Sequence, residues 1–414
     1  MEKYAALKKY CEDIYSKMLK KPQGDFLYPC FMPIDNYACQ LWDWGSWMSN
    51  VAIRQIATNC GKQDDLFEYE IGCVLQFLSF QKEDGSIPIC VASKESASLV
   101  KVFPNALNVH KPCLAQHAAF ICKYNKDITW LEDSYEGIKK FVLYYINNAK
   151  HKESKLYYFF DDFAIGVDND PTTFYRPNNS TASIFLNSLM YKELESIVFL
   201  AGLLDKKEDV LYFQNQLNEL KNAIQVNCYD EKDGMFYSCD INLRPIKEDE
   251  LLHINAPRHY SNLIMRIGTW SSFLPLWAGI ATKEQSERMI KENLLDKKAF
   301  WSKYGIRTLS KYEKMYRPNY KSSNPSNWHG GIWILSNYFI FSGLKKYGYL
   351  EEATELAKNT IELLDDDLCK NGCFHEYYNP DNGEGNWDPG FLSWNLLVMN
   401  MINYIEGKEV VSEF

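Results

Sequence analysis

Amphipathic helical periodicity, renewed segment after segment, is the feature that most limits how this chain can fold. In YKELESIVFLAGLLD (191–205) Leu194, Ile197, Val198, Ala201 and Leu204 recur at spacings of three and four, which lays them on one helix face. The next segment repeats the pattern with Val210, Phe213, Leu217, Leu220 and Ile224. Only the polar turn DKKED separates the two, so they read as antiparallel neighbours. YLEEATELAKNTIELLDDDL does the same with Ala353, Leu356, Ala357, Ile361 and Leu364, as do EDSYEGIKKFVLYYINN and the shorter KEQSERMIKENLL. Two other stretches, GGIWILSNYFIFSGLKKYG and GFLSWNLLVMNMINYI, are apolar most of the way round, the pattern of buried helices. Alternation of half-exposed and buried helices predicts two concentric layers. No long β-rich block is present, and only GMFYSCDI (234–241) reads as a short hairpin arm. At about 30–35 residues per helix with its loop, the chain holds roughly a dozen helices. An all-α closed double ring is consistent with this. No Pro-, Gly- or Ser-rich linker interrupts the pattern, so residues 1–414 read as a single domain.

The long stretches without helical period carry the functional signal, because ordered loops of more than about 12–15 residues are commonly functional. They cover residues 22–41, 157–181, roughly 302–330 and 370–390. In a helical ring such loops gather at one end. They are also where tryptophans cluster, in LWDWGSW, NWHGGIW and GNWDPGFLSWN, beside Asp, Asn, Gly and Pro. Aromatic residues make up 15% of the chain. Each ring alone is ordinary core, but flat rings interleaved with hydrogen-bonding groups suit sugar faces.

Charge and cysteine usage exclude other classes. The net charge is −9 and no basic stripe exists, which leaves nucleic-acid binding without electrostatic support. Twelve cysteines are spread singly with no CxxC pair, the pattern of reduced core thiols and not of a disulfide scaffold or zinc site. The opening MEKYAALKKYCEDIYSKMLKK reads as an amphipathic helix, not as an apolar signal segment. No apolar run approaches the roughly 20 residues needed to span a bilayer. A soluble, cytoplasmic protein with no membrane partner is expected.

Two loops offer carboxylates for chemistry. CFHEYYNPDNGEG (373–385) sets Glu376 among His375, Tyr377 and Tyr378 ahead of a turn. Aromatic neighbours stabilise a carboxylate charge poorly, so this position is costly unless the group has work to do. GVDNDP (166–171) sets Asp168 between Gly166 and Asn169; as an Asp/Asn/Pro turn it is a weak signal alone. Asp161 and Asp162 are rival acids that read more readily as a solvated turn or cap. Two carboxyls on separate loops of an aromatic-rich ring suit glycoside hydrolysis, one protonating the leaving oxygen and one activating water. A sugar-binding protein without activity is the competing class, although binding alone needs neither carboxyl.

An ordered set of motifs sharpens this reading. LWDWGSW (41–47), QKEDGSIP (81–88), GVDNDP (166–171), SSFLPLWAGIATKEQSERMI (271–290), FWSKYGIRTLSK (300–311), NWHGGIWILSNYFIFSGLKKYGY (327–349) and FHEYYNPDNGEG (374–385) run over almost the whole chain. In this order they resemble the catalytic domain of glycoside hydrolase family 63. That family includes processing α-glucosidases and bacterial mannosylglycerate and glucosylglycerate hydrolases, and it shares its clan architecture with trehalases. The resemblance implies an (α/α)₆ barrel and an inverting mechanism that uses neither metal nor organic cofactor. It implies Asp168 as general acid, Glu376 as general base and Asp43 as the carboxylate that binds hydroxyls of the cleaved sugar. Trp42, Trp328, Trp333 and Trp387 would form the walls, and Gly330 would let its loop approach the substrate. Arg176, Lys111, Gln116 and Tyr378 are further candidates for polar contacts, Lys111 and Gln116 reading equally well as a helix start. His329 and Gly331 stand where the family usually shows Arg and Pro, which leaves the contacts of that loop and the substrate open. The chain lacks the separate N-terminal β-domain of larger members, so a small soluble carbohydrate is expected. An α-glucoside leads; glucosylglycerate, mannosylglycerate and trehalose are alternatives. A glycerate leaving group would need a cationic clamp, drawn from Arg176, Arg258, Arg307 or Arg317.

Overall fold

Inner and outer helices are distinguished by how much of their circumference is buried. The computed structural model describes residues 3–92, 109–162, 164–244, 258–319 and 324–414. Among these residues the helices are α1 (Ala5–Ile14), α2 (Asp43–Asn59), α3 (Phe67–Leu78), α4 (Leu114–Tyr124), α5 (Thr129–Asn148) and α6 (Ile184–Leu203). There follow α7 (Lys207–Cys228), α8 (Leu274–Ala278), α9 (Lys283–Arg288), α10 (Ile334–Lys346), α11 (Leu350–Asn371) and α12 (Val398–Ile405). A π-helical turn, Met289–Leu294, extends α9, and a 3₁₀ turn, Ser393–Leu397, precedes α12.

The even-numbered helices form the inner ring. α2 is buried at every residue from Asp43 to Ala57, and α4 from Leu114 to Cys122. The odd-numbered helices are amphipathic: α7 buries chiefly Phe213, Leu217, Leu220, Ala223 and Ile224, with its other faces largely in water. Each inner helix touches the next, α2 with α4, α4 with α6, α6 with α8 and α8 with α10. α10 meets the Ser393–Leu397 turn, and that turn and α12 return to α2. The ring therefore closes, and the outer helices pack against it, as α7 does on α6 and α11 on α10. This is the all-α (α/α)₆ barrel expected from the motifs. One continuous core runs from Leu7 to Val411.

The assignment of layers differs from the sequence reading in one place. The segment beginning at Tyr191 reads as a half-exposed helix, yet α6 is an inner helix that starts at Ile184. Its polar residues are buried and bonded internally: the Asn187 side chain donates to the Tyr157 carbonyl, and Ser196 to the Lys192 carbonyl. Polar side chains with such partners mimic an exposed stripe. GMFYSCDI supplies two short strands, Met235–Phe236 paired with Tyr229–Asp230 and Cys239–Asp240 paired with Thr181–Ala182.

Close approach within the inner ring rests on Gly343 of α10. A Cβ there would lie 2.9 Å from the Leu276 Cβ and 2.9 Å from the Trp277 backbone nitrogen of α8. Alanine in a helix interior normally gains roughly 0.5–1 kcal/mol over glycine; here the overlap with backbone reverses the sign. Gly343→Ala is expected to lower stability by about 1–3 kcal/mol in urea denaturation, and a gain would show that the ring is looser than described.

Candidate active site

The loops that lead into five of the six inner helices, α2, α4, α6, α10 and α12, meet at one end of the barrel and enclose a cavity of about 570 Å³. Its lining draws on the start of α2 (Trp42, Trp44, Ser46), Lys111 before α4, Asp162 and Asp168 before α6, Ser326 and Trp328 before α10, and Glu376 and Trp387 before α12. The cavity thus sits at the N-terminal ends of the inner ring, where unsatisfied backbone N–H groups and helix dipoles favour negative charge.

Its floor is an aromatic stack. Trp328 and Trp333 lie with ring centroids 3.8 Å apart and planes at 9°, and Tyr377 continues the stack on Trp333 at 5.0 Å. Trp44 lies 6.0 Å from Trp328, also stacked. Trp387, at the rim, is 48% exposed.

Beside this floor is a buried ion pair. Asp43, first residue of α2, accepts from the Lys111 Nζ at 3.1 Å, from the Lys111 backbone N–H at 2.7 Å and from the Trp44 N–H at 2.6 Å. Both members are shut away from water. Lys111 Nζ also lies 4.6 Å from the Trp44 ring centroid. Gly166, at φ +65°, makes room for it: a Cβ there would come within 2.6 Å of Nζ.

The two predicted carboxyls meet in the cavity. The Glu376 Oε1 accepts from the hydroxyls of Tyr37 and Ser326, each at 3.3 Å, while Oε2 is buried with no partner. Asp168 Oδ2 accepts from the Asn324 amide at 2.9 Å, and Ser326, bonded to Glu376, lies near enough to Asp168 to influence it. One serine therefore stands between them. Burial pushes the Glu376 carboxyl up to about 8, reinforced by the charges of Asp168 and then Asp388. Burial also raises Asp168, but the Asn324 bond, the Lys111 charge and Ser326 oppose it. Burial raises both carboxyls, with anions reinforcing the rise at Glu376 and a cation and two donors opposing it at Asp168.

Each loop is held from behind. Asn169 is turned away from the cavity: its Oδ1 accepts from the Trp328 N–H at 2.8 Å and its amide donates to Asn327 Oδ1 at 3.0 Å. His329 Nε2 lies 2.6 Å from the Asn169 carbonyl, so the residue in the usual arginine position braces the Asp168 loop. The Glu376 backbone N–H donates to the Trp387 carbonyl at 3.1 Å. Asp367 of α11 anchors the same loop through His375 Nδ1 and the Tyr378 hydroxyl, both at 2.9 Å.

Several candidates lie elsewhere. Tyr378 is wholly buried and bonds Asp367, outside the lining. The Gln116 amide is spent on the carbonyls of Pro112, at 2.6 Å, and Leu189, at 3.1 Å, which fixes the loop carrying Lys111. Arg176 pairs with Asp240 at 2.7 Å and reaches Thr181. Gly330, at φ +112°, makes room for the Tyr316 ring and not for the cavity, since a Cβ would meet that ring at 2.2 Å. Asp43 reaches the cavity through Lys111 and is not itself among the lining residues. Arg258 pairs with Glu153 and Arg307 donates to carbonyls of the 297–301 turn; neither they nor Arg317 line the cavity. Asp162 does line it, while Asp161 caps a turn by accepting from the Ala164 N–H. Sequence reasoning missed Tyr37, Asn324, Ser326, Trp44, Trp394 and Asp388. Of these, Trp44, Asp388 and Trp394 sat inside the tryptophan clusters, and Tyr37, Asn324 and Ser326 lay in the long loops with no motif of their own.

A helical double ring with a carboxyl-bearing aromatic cavity at one end defines a class of carbohydrate-active folds, and the comparisons agree. Residues 74–394 match the mannosylglycerate hydrolase MGH1-like glycoside hydrolase domain, and the chain belongs to that family. A probable mannosyl-oligosaccharide glucosidase from Schizosaccharomyces pombe is 25% identical over 251 residues, 58% of this chain and 28% of the relative. Mannosylglycerate hydrolase MGH1 from Selaginella moellendorffii is 32% identical over 132 residues, 31% of this chain and 24% of the relative. The chain thus spans under a third of the length of these curated relatives. The crystal structure of a GH63 mannosylglycerate hydrolase from Thermus thermophilus in complex with Tris shares the fold at a TM-score of 0.71 and 16% identity, covering 96% of this chain and 100% of that one.

Burial of Glu376 has a consequence for stability. Its folded value, about 8, lies above the ordinary carboxyl range. The fold therefore binds this proton more tightly than the unfolded chain does, and the associated stability is full at pH 4 and lost as pH rises through about 8. Glu376→Gln is expected to leave stability near native at pH 5 and to raise it at pH 9, on the order of a few kcal/mol, read as melting temperature against pH. Equal effects at both values would contradict the buried, protonated state.

Proposed function

We propose that this protein is an inverting, exo-acting glycoside hydrolase that cleaves the α-glucosidic bond of a small, neutral glucoside or disaccharide, with residues 1–414 acting as one catalytic unit. The observation that carries the reading is the pair of carboxyls, Asp168 and Glu376, brought to one tryptophan-walled cavity with their proton affinities set apart.

In this mechanism Asp168 donates its proton to the glycosidic oxygen while Glu376 takes a proton from the attacking water on the opposite face of the ring. The productive state is the singly protonated pair, whose pH window belongs to the pair whichever carboxyl holds the proton in the free site. Sugar hydroxyls and water entering the cavity bring donors to Glu376 that favour its ionised form, and the leaving oxygen gives the Asp168 proton an acceptor. Trp328 and Trp333 offer a flat apolar face to the sugar ring, and Lys111 with Asp43 offers a preorganised polar edge. The twelve unpaired thiols, most of them buried, support a reducing compartment, the cytoplasm.

A mannosylglycerate or glucosylglycerate substrate is the second reading, favoured by the family match and by the relatives' names. Against it, Lys111 is the sole cation lining the cavity among the described residues, and Asp43 already neutralises it. A carboxylate on the leaving group would find no free cationic clamp there.

The test is release of monosaccharide from kojibiose, nigerose, maltose, isomaltose, trehalose, glucosylglycerate and mannosylglycerate. Turnover of a neutral glucoside, lowered about 10²–10⁴-fold in Asp168→Asn and in Glu376→Gln, is the expected result. Turnover of the glycerate glycosides alone would replace it with the second reading. Activity retained by folded forms of both variants would remove the mechanism.

A further inference from the structure

The turn that closes the Glu376 hairpin is built in an uncommon way. Strand Tyr377–Tyr378 pairs with Gly385–Asn386, and the residues after it, Trp387 and Asp388, both take left-handed backbone conformations, at φ +56° and +45°. Two consecutive non-glycine residues there are sterically disfavoured, more for the bulky Trp387 than for an aspartate. The kink separates their side chains. Trp387 goes to the cavity rim, half exposed, while Asp388 turns inward and is 1% exposed. A loop on the surface of a barrel gains nothing by burying a carboxylate at the cost of backbone strain.

The buried Asp388 is only half satisfied. Oδ1 accepts from the Asn36 side-chain amide, and Oδ2 is enclosed without a partner. Among the described residues no cation forms an ion pair with it. The titratable groups around it are Asp35, held by the N–H groups of Tyr37 and Leu392, and His375, whose Nδ1 is turned to Asp367 and whose charge opposes the rise at Asp388. Glu376 is tied to the same kink through the Trp387 carbonyl, and its other neighbours are Asp168, Tyr37 and Ser326. Glu376 Oε2 is likewise enclosed without a partner. Two enclosed carboxyls, each with one oxygen that lacks a partner, stand on one hairpin, the Glu376 backbone being bonded to the residue just before Asp388.

We propose that Asp388 is a positioning residue of the active site: its enclosed carboxylate, fixed by the Trp387–Asp388 kink and by Asn36, holds the proton on Glu376 and so sets the pH at which the carboxyl pair carries one proton. Asp388 does not line the cavity, so it acts through Glu376 and not on substrate. Its own carboxyl is raised to about 6, by burial and then by the charge of Asp35, which leaves it largely ionised at neutral pH. An ionised neighbour raises the carboxyl beside it. The inference rests on the proposed function for its catalytic meaning, but the coupling itself is physical and can be read without turnover.

The experiment is an infrared pH titration of the carboxyl band of Glu376, assigned by its loss in Glu376→Gln. It is repeated in Asp388→Asn and Asp388→Gly, both of which tolerate the left-handed backbone. The expected result is a midpoint near pH 8 in the native protein that falls by about one unit in each variant. The alkaline limb of kcat/KM should fall with it where a substrate has been found. A midpoint unmoved in either folded variant would overturn the proposal, as would one that rises. Absence of turnover by the native protein would count against the glycosidase reading while the midpoint still decides the coupling.

Discussion

A lysine and an aspartate with no access to water organise the catalytic end of this barrel. Removing two charges from solvent is costly, and only close pairing with additional hydrogen bonds offsets that cost. Asp43 obtains those bonds by standing at the first position of α2, where it accepts from two backbone N–H groups as well as from Lys111. The pair fastens the approach to α4 onto the start of α2. Gly166 must then lack a side chain, because Lys111 Nζ occupies the space, and Asp168 follows two residues later with that charge in reach. Gln116 and Glu193 complete the support: the first ties down Pro112, and the second accepts from the N–H groups of Ala115 and Gln116.

Opposite this cationic edge, the Glu376 loop is assembled to do the reverse. Among the described residues no cation meets Glu376; its partners are hydroxyls, the anionic neighbours Asp168 and Asp388 and the kinked backbone of Trp387. The result is a pair of similar side chains in unlike surroundings within one cavity, one with a lysine charge in reach and one with anionic neighbours. The difference arises from which loop borders which inner helix, and so from the closure of the ring.

Much of the fold was legible because helical period survives in short windows. α7 and α11 show their buried stripes directly, and α10 and α12 show the apolar circumference of inner helices. α6 was misread because Asn187, Lys192, Glu193 and Ser196 look solvent-facing in the sequence, yet Asn187 and Glu193 find partners on neighbouring segments and Lys192 and Ser196 within the helix itself. Glu376 stood out because its motif sets a carboxylate among aromatic neighbours, and Trp328 because it lies in a tryptophan cluster, whereas Asp168 was singled out by the order of motifs and not by its own turn. Tyr378, Gln116 and Arg176 carry the same polar chemistry, but their partners come from distant segments, Asp367, Leu189 and Asp240, that no local window can supply. Ser326 and Tyr37 were invisible for the same reason: their significance is their position against Glu376, 50 and 339 residues away in sequence.

The most direct test of the account is the anomeric form of the sugar as it leaves the site. Proton NMR in the first minutes of hydrolysis of an α-glucoside resolves the two anomers before mutarotation mixes them. Water activated by Glu376 on the face opposite the leaving group predicts that β-glucose appears first. Initial release of the α-anomer would mean that a carboxyl attacks the sugar covalently, and the roles assigned to Asp168 and Glu376 would be wrong.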